Sequence, residues 1–206
     1  MIKLYNSLTH RKEEFVPIEK GKVGLYTCGP TVYDFSHIGN FRTFLFEDLL
    51  KRVLLAFDYK VDHVMNITDV DDKTIKKANE ENKDLKEITS KYTDAFLRDL
   101  KSLRILDADN YPRATEHIDE MIEIIKILIE REFAYVTKDG SVFFKISKYP
   151  NYGKLVNLSN STIINEAQLS DEYDLYSLND FALWKSHKRE DGKVLWDSPW
   201  GKGRPG

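Results

Sequence analysis

Apolar residues recur along this chain with two different periods, and the switches between them outline a fold. In residues 22–28 (KVGLYTC) Val23, Leu25 and Thr27 fall on alternate positions, and Gly29-Pro30 then punctuates the run, which predicts a buried strand. From Phe41 onward Phe44, Leu45, Leu49, Val53, Leu54 and Phe57 recur at helical spacing, with Arg42, Glu47, Lys51 and Arg52 between them, which predicts an amphipathic helix. Residues 60–67 (KVDHVMNI) alternate again through Val61, Val64 and Met65. Strand, loop, helix, strand is the unit that builds parallel sheets, because parallel neighbours need a crossover.

Leu85, Ile88, Tyr92, Phe96, Leu100 and Leu103 predict a second long helix, and Ile118, Met121, Ile122, Ile125 and Ile129 a third, with Pro112 separating them. After Glu132 the pattern changes to short β-prone pieces at 133–137, 141–146 and 181–185, joined by Gly, Asn, Asp and Ser. These read as an inserted antiparallel module. Residues 157–178 are the least periodic and read as an irregular surface segment. No internal repeat or low-complexity tract is present.

Composition adds exclusions. The 206 residues are 41% hydrophobic and 32% charged, a balance that supports a core and a solvated surface. No apolar run approaches the roughly 20 residues that cross a bilayer, and the first ten residues lack a secretory pattern, so a cytoplasmic protein with no membrane partner is expected. A net charge of −3 gives no general attraction to nucleic acid. Cys28 is the single cysteine, so no intrachain disulfide can form.

Residues 27–40 join the carboxyl end of the first parallel strand to a helix N-terminus, the place where open α/β sheets bind ligands. Free backbone N–H groups and the positive end of the helix dipole favour a phosphate there, and Gly39 permits close approach. His37 and Asn40 could add donors, although Asn40 could equally serve only as a helix cap. Cys28 could be a buried strand-end residue or a chemical group. Asp69, Asp71 and Asp72 lack the glycine-bearing spacing of a calcium loop and read as a helix start. His63, His117 and His187 share no ligand spacing, and Trp184, Trp196 and Trp200 read as packing residues.

Longer strings carry more. YTCGPTVYD at 26–34, HIGN at 37–40 and NITDVDDK at 66–73 closely resemble the cysteinyl-tRNA synthetases. So do KLYNSL at 3–8, PRATEHI at 112–118, DFALWK at 180–185 and GRPG at 203–206, and the resemblance therefore runs the length of the chain. It implies an α/β fold: the first half of a class I synthetase nucleotide-binding domain (Rossmann-like, HUP-type, with a parallel sheet) over 1–112, a connective α+β insertion over 113–200, and the start of a return at 201–206.

The resemblance also implies roles. Pro30, Thr31, His37, Ile38, Gly39 and Asn40 would form the ATP-binding signature loop, with His37 and Asn40 catalytic. Asn40 stands where the signature has a second histidine, and it keeps a donor but cannot become a cation. Cys28, Gly29 and Thr68 would bind cysteine. Cys28 would also be the first ligand of a zinc ion whose other ligands are expected beyond Gly206, the metal selecting the substrate by its thiolate. ATP with Mg²⁺, cysteine and tRNA(Cys) are the implied substrates, and the parent protein is expected to be a monomer. Little or no activity is expected of these residues alone. Two other readings remain at this stage: a cysteine ligase that acts on an amino sugar, as in mycothiol synthesis, and a non-catalytic nucleotide- or RNA-binding module.

Overall fold

A computed structural model describes residues 2–155 and 180–206, and the irregular segment expected at 157–178 lies outside the described residues. In chain order the elements are β1 (Lys3–Asn6), β2 (Arg11–Glu14), β3 (Lys22–Thr27), α1 (Ile38–Ala56), β4 (Lys60–Met65), α2 (Asp72–Glu81), α3 (Leu85–Ser102), α4 (Ile118–Glu130), β5 (Ala134–Val136), β6 (Val142–Phe144), β7 (Phe181–Ser186) and β8 (Gly203–Pro205). They divide into two compact units. One comprises Pro17–Asp119 and Lys188–Leu195, the other Met1–Val16, Glu120–His187 and Trp196–Gly206.

The first unit holds the expected strand–helix–strand crossover. β3 and β4 pair in parallel, from Lys22 opposite Lys60 to Thr27 opposite Met65, with α1 between them in sequence. A third parallel line, hidden from periodicity, runs beside β4. The Met65 N–H donates to the Asn110 carbonyl at 3.0 Å and the Ile67 N–H to the Pro112 carbonyl at 2.8 Å. Pro112 thus sits where only its carbonyl is needed, as its missing N–H requires. α2 and α3 lead the chain from β4 to that line. Phe41 and Phe44 of α1 meet Phe96 of α3 at ring separations of 6.4 and 5.0 Å, in a core with Met65, Ile67, Ile88 and Leu100.

Helix α1 departs from the expected amphipathic pattern. Phe41, Phe44 and Leu54 are buried on one face, while Ile38, Leu45, Phe46 and Leu49 are exposed on the other.

The second unit contains the β1–β2 hairpin and an antiparallel sheet in the order β5-β6-β7-β8. The expected packing role of the tryptophans is met at Trp184, which is fully buried and meets Trp200 edge-on with ring centroids 6.2 Å apart. At the β5–β6 turn, burial pushes the Asp139 carboxyl up. Hydrogen bonds from Thr137, from the Ser141 backbone and side chain, and from Ser186 outweigh it and hold the group down at about 2.

Candidate functional site at the carboxyl end of the parallel strands

The loop that leaves β3 is stitched to the segment that leaves β4. The Thr68 N–H donates to the Pro30 carbonyl and the Val32 N–H to the Thr68 carbonyl, each at 3.1 Å, and Thr31 and Thr68 form a parallel bridge. This brings Pro30, Thr31 and Val32 beside Thr68. The organiser is Asn66, to which sequence reasoning gave no role. Its Oδ1 accepts the Gly29 N–H at 3.1 Å and the Tyr26 hydroxyl at 3.0 Å, and its Nδ2 donates to Thr68 Oγ1 at 3.1 Å. With its acceptor function used, the Thr68 hydroxyl keeps its own proton to donate.

Gly29 cannot be replaced in this stitching, because a Cβ there would stand 1.8 Å from the Asn66 carbonyl oxygen. Cys28, just past the strand, is exposed rather than buried, so the strand-end packing alternative does not hold.

At the start of α1 the capping is divided between two residues. His37 is the N-cap, with extended backbone, and its Nδ1 accepts the Gly39 N–H at 3.0 Å. The Asn40 side-chain oxygen accepts the His37 N–H at 3.0 Å. This reciprocal arrangement satisfies donors that a helix start leaves open. Because Nδ1 is the acceptor, the neutral imidazole carries its proton on Nε2. Asn40 therefore does cap, yet its NH₂ group remains a donor, so the two alternatives for that residue coexist. Gly39 lies under the ring, and a Cβ there would stand 2.9 Å from His37 Cε1.

Beneath β3 lies a buried polar line that sequence reasoning left as an unremarked structural histidine. Thr27 Oγ1 and His63 Nε2 are 3.0 Å apart, and the half-buried Glu47 carboxyl lies near Thr27 with its Oε2 buried and without a hydrogen-bond partner. Burial first, and then the Lys51 ammonium, push His63 down, while burial pushes Glu47 up. His63 is further held by its backbone N–H, which donates to Asp109 Oδ2 at 2.8 Å.

The acidic run is structural, as expected. Asp69 accepts from the Thr115 N–H at 2.9 Å and the Thr115 hydroxyl at 2.6 Å, and Asp71 caps α2 by accepting the Lys73 N–H at 2.8 Å. Among the described residues no group of three His, Cys, Asp or Glu could hold a metal ion. The Cys28 thiol suits zinc as one donor, but a zinc site needs about three or four, so the described residues do not build that site by themselves. No helix among them is long and apolar enough to cross a membrane.

Parallel strands joined by a crossover helix that starts at their carboxyl ends make an α/β arrangement, and this chain belongs to the class I tRNA synthetases. The family described as tRNA synthetases class I (C) catalytic domain matches residues 14–206. Curated relatives are cysteine–tRNA ligases: that of Brachyspira hyodysenteriae is 52% identical over 100% of this chain and 44% of its own length. That of Chlamydia trachomatis serovar D is 54% identical over 98% of this chain and 43% of its own. The chain thus spans less than half the length of these relatives. A solved structure assigned as an arginyl-tRNA synthetase of Campylobacter jejuni superposes with a TM-score of 0.51 at 12% identity, covering 66% of this chain and 40% of that one, and so shares the fold.

Proposed function

We propose that the chain carries the ATP- and cysteine-binding part of a cysteine–tRNA ligase. The observation that carries this reading is the His37–Gly39–Asn40 arrangement at the α1 N-terminus, in the loop that leaves β3 through Cys28, Gly29, Pro30 and Thr31, the last of these bridged to Thr68.

In the reaction the cysteine carboxylate attacks the α-phosphorus of ATP, the bond to the bridging oxygen breaks, and pyrophosphate leaves with the electron pair. A terminal ribose hydroxyl of tRNA(Cys) then attacks the activated carbonyl, and AMP departs. Neither step needs a nucleophile from the protein, so catalysis is positioning and stabilisation of phosphate charge. His37 Nε2–H, the Asn40 NH₂ and the open N–H groups of α1 are the donors for those phosphates, which reach the enzyme with Mg²⁺. Thr68 donates to the bound amino acid. Cys28 would serve as the first zinc ligand, with the others supplied by polypeptide outside the matched region, and the ion would there select a thiolate substrate. The parent protein acts as a cytoplasmic monomer.

Isothermal titration of the 206-residue chain with ATP tests the reading. Micromolar to millimolar binding that weakens at least tenfold in His37→Ala is expected. Absence of ATP binding, or binding indifferent to His37, would remove it. Cysteine-dependent pyrophosphate exchange is expected from the parent protein and not from this chain alone.

A further inference from the structure

Residues 33–37 carry the loop from β3 into α1, and among the described residues their hydrogen bonds are all local. The Tyr33 N–H donates to the Thr31 carbonyl at 3.1 Å, the Phe35 N–H to Asp34 Oδ1 at 2.8 Å and the His37 N–H to Asn40 Oδ1 at 3.0 Å. None of these ties the loop to another element. The nearest such tie on the β3 side is at Val32, whose N–H donates to the Thr68 carbonyl at 3.1 Å.

What does reach across is aromatic. The Phe35 ring meets Tyr92 of α3 edge-on, with centroids 5.2 Å apart. Lys91 Nζ stands 4.7 Å from the Tyr92 centroid and 6.0 Å from that of Phe35, so one ammonium serves both rings. Earlier in the loop, the Tyr33 ring lies under Lys73 Nζ of α2, 5.3 Å from its centroid. Tyr92 is buried, whereas Phe35 is 60% exposed. A ring that only filled the core would be withdrawn from water, as Tyr92 is. Edge-to-face pairs prefer a defined geometry, so the Phe35 contact fixes where the loop lies more than it fills the core. The same loop delivers His37 two residues later, and the hydrogen bond that holds its ring is the one from the Gly39 N–H, at an exposed helix start.

We propose that Phe35, seated on Tyr92 and Lys91, is a positioning residue for adenylate formation: it holds the loop so that the His37 imidazole stays on the α1 cap with Nε2–H directed to a phosphate. This rests on the reading of His37 as a phosphate donor. Phe35 acts through His37 rather than on ATP, and α3 thereby becomes part of what sets ATP affinity.

Phe35→Ala and Phe35→Tyr in the 206-residue chain test it, with calorimetric titration of ATP and the NMR shift of the Gly39 amide proton as two separate readouts. In Phe35→Ala, ATP binding is expected to weaken about three- to tenfold, the span of one aromatic pair. The Gly39 amide shift is expected to become more temperature-dependent, as a broken hydrogen bond to His37 Nδ1 requires. Phe35→Tyr keeps the ring and is expected to retain both parent values. Lys91→Met keeps an apolar chain over the rings but removes the cation, and is expected to move both readouts the same way by less. Because Phe35 is exposed, these variants are expected to melt within a few degrees of the parent chain, which circular dichroism checks. A Gly39 amide indifferent to Phe35→Ala, an unchanged ATP affinity while that amide loosens, or a loss in Phe35→Tyr as large as in Phe35→Ala would each overturn the proposal. If the parent chain binds no ATP while the Gly39 amide responds to Phe35→Ala, the functional reading falls and the anchoring of the cap stands.

Discussion

The hydroxyl of Thr27 stands 3.0 Å from Nε2 of His63, and both residues are buried under the strand end that leads into Cys28. Burial and the Lys51 ammonium hold His63 neutral, with Asp109 and Asp48 opposing weakly. In the unfolded chain the imidazole binds a proton below its ordinary value of 6.5, whereas in the folded chain it does so only at lower pH. Stability is therefore lost as the pH falls below that value. Urea denaturation between pH 7.5 and 5.5 is expected to give a falling midpoint, and His63→Gln is expected to flatten the fall.

Glu47 titrates in the opposite sense. Burial raises its folded pKa above the ordinary 4.5, so above that value the unfolded chain releases a proton that the folded chain still holds. Folding is thus weakened as the pH rises from 4.5 through the raised value. Glu47→Gln keeps a neutral group against Thr27 and is expected to be more stable than the parent chain at pH 7.5, with the difference vanishing near pH 4. Thermal melts of the two proteins at both pH values measure it.

Gly39 has to lack a side chain so that the His37 ring can lie over it. Gly39→Ala places a methyl 2.9 Å from His37 Cε1 and is expected to move the imidazole off the cap. ATP binding should then fall at least tenfold, while the melting temperature shifts by only a few degrees because the cap is exposed and worth about 1 kcal/mol. Calorimetric titration and a thermal melt of the same variant separate the two effects.

Asn66 satisfies three partners at once, Gly29, Tyr26 and Thr68. Asn66→Ala is expected to cost about 1 to 2 kcal/mol, since several of the orphaned groups are only half buried and water can reach them. The Cys28 loop should be loosened, which faster alkylation of the exposed thiol would register. Asn66→Asp keeps the acceptor for Gly29 and Tyr26 but loses the donor to Thr68, and is expected to retain part of the stability.

The crossover was legible from alternation in 22–28, helical spacing from Phe41 and alternation again in 60–67, because burial imposes a period on each element separately. The third parallel line at 109–113 was not, since its residues pair with the β4 segment through backbone N–H and carbonyl groups and carry no apolar alternation. The loop between β3 and α1 was legible as a candidate place for a ligand, and its family strings named the residues proposed for it. The division of labour between His37 and Asn40 was invisible, because it depends on which atom of each side chain meets the α1 backbone.

By itself the sequence determined the order of elements, the helix start facing the strand ends, and the motif strings that place the chain among the class I synthetases. Only the tertiary structure decided that Cys28 is exposed, that Asn66 ties the two loops, that Thr27, Glu47 and His63 share a buried line, and that α1 keeps an unpartnered apolar face. Those properties arise from contacts between residues far apart in the chain, as Thr27 is from His63. Local periodicity records only that a face is apolar and carries no information about what lies against it.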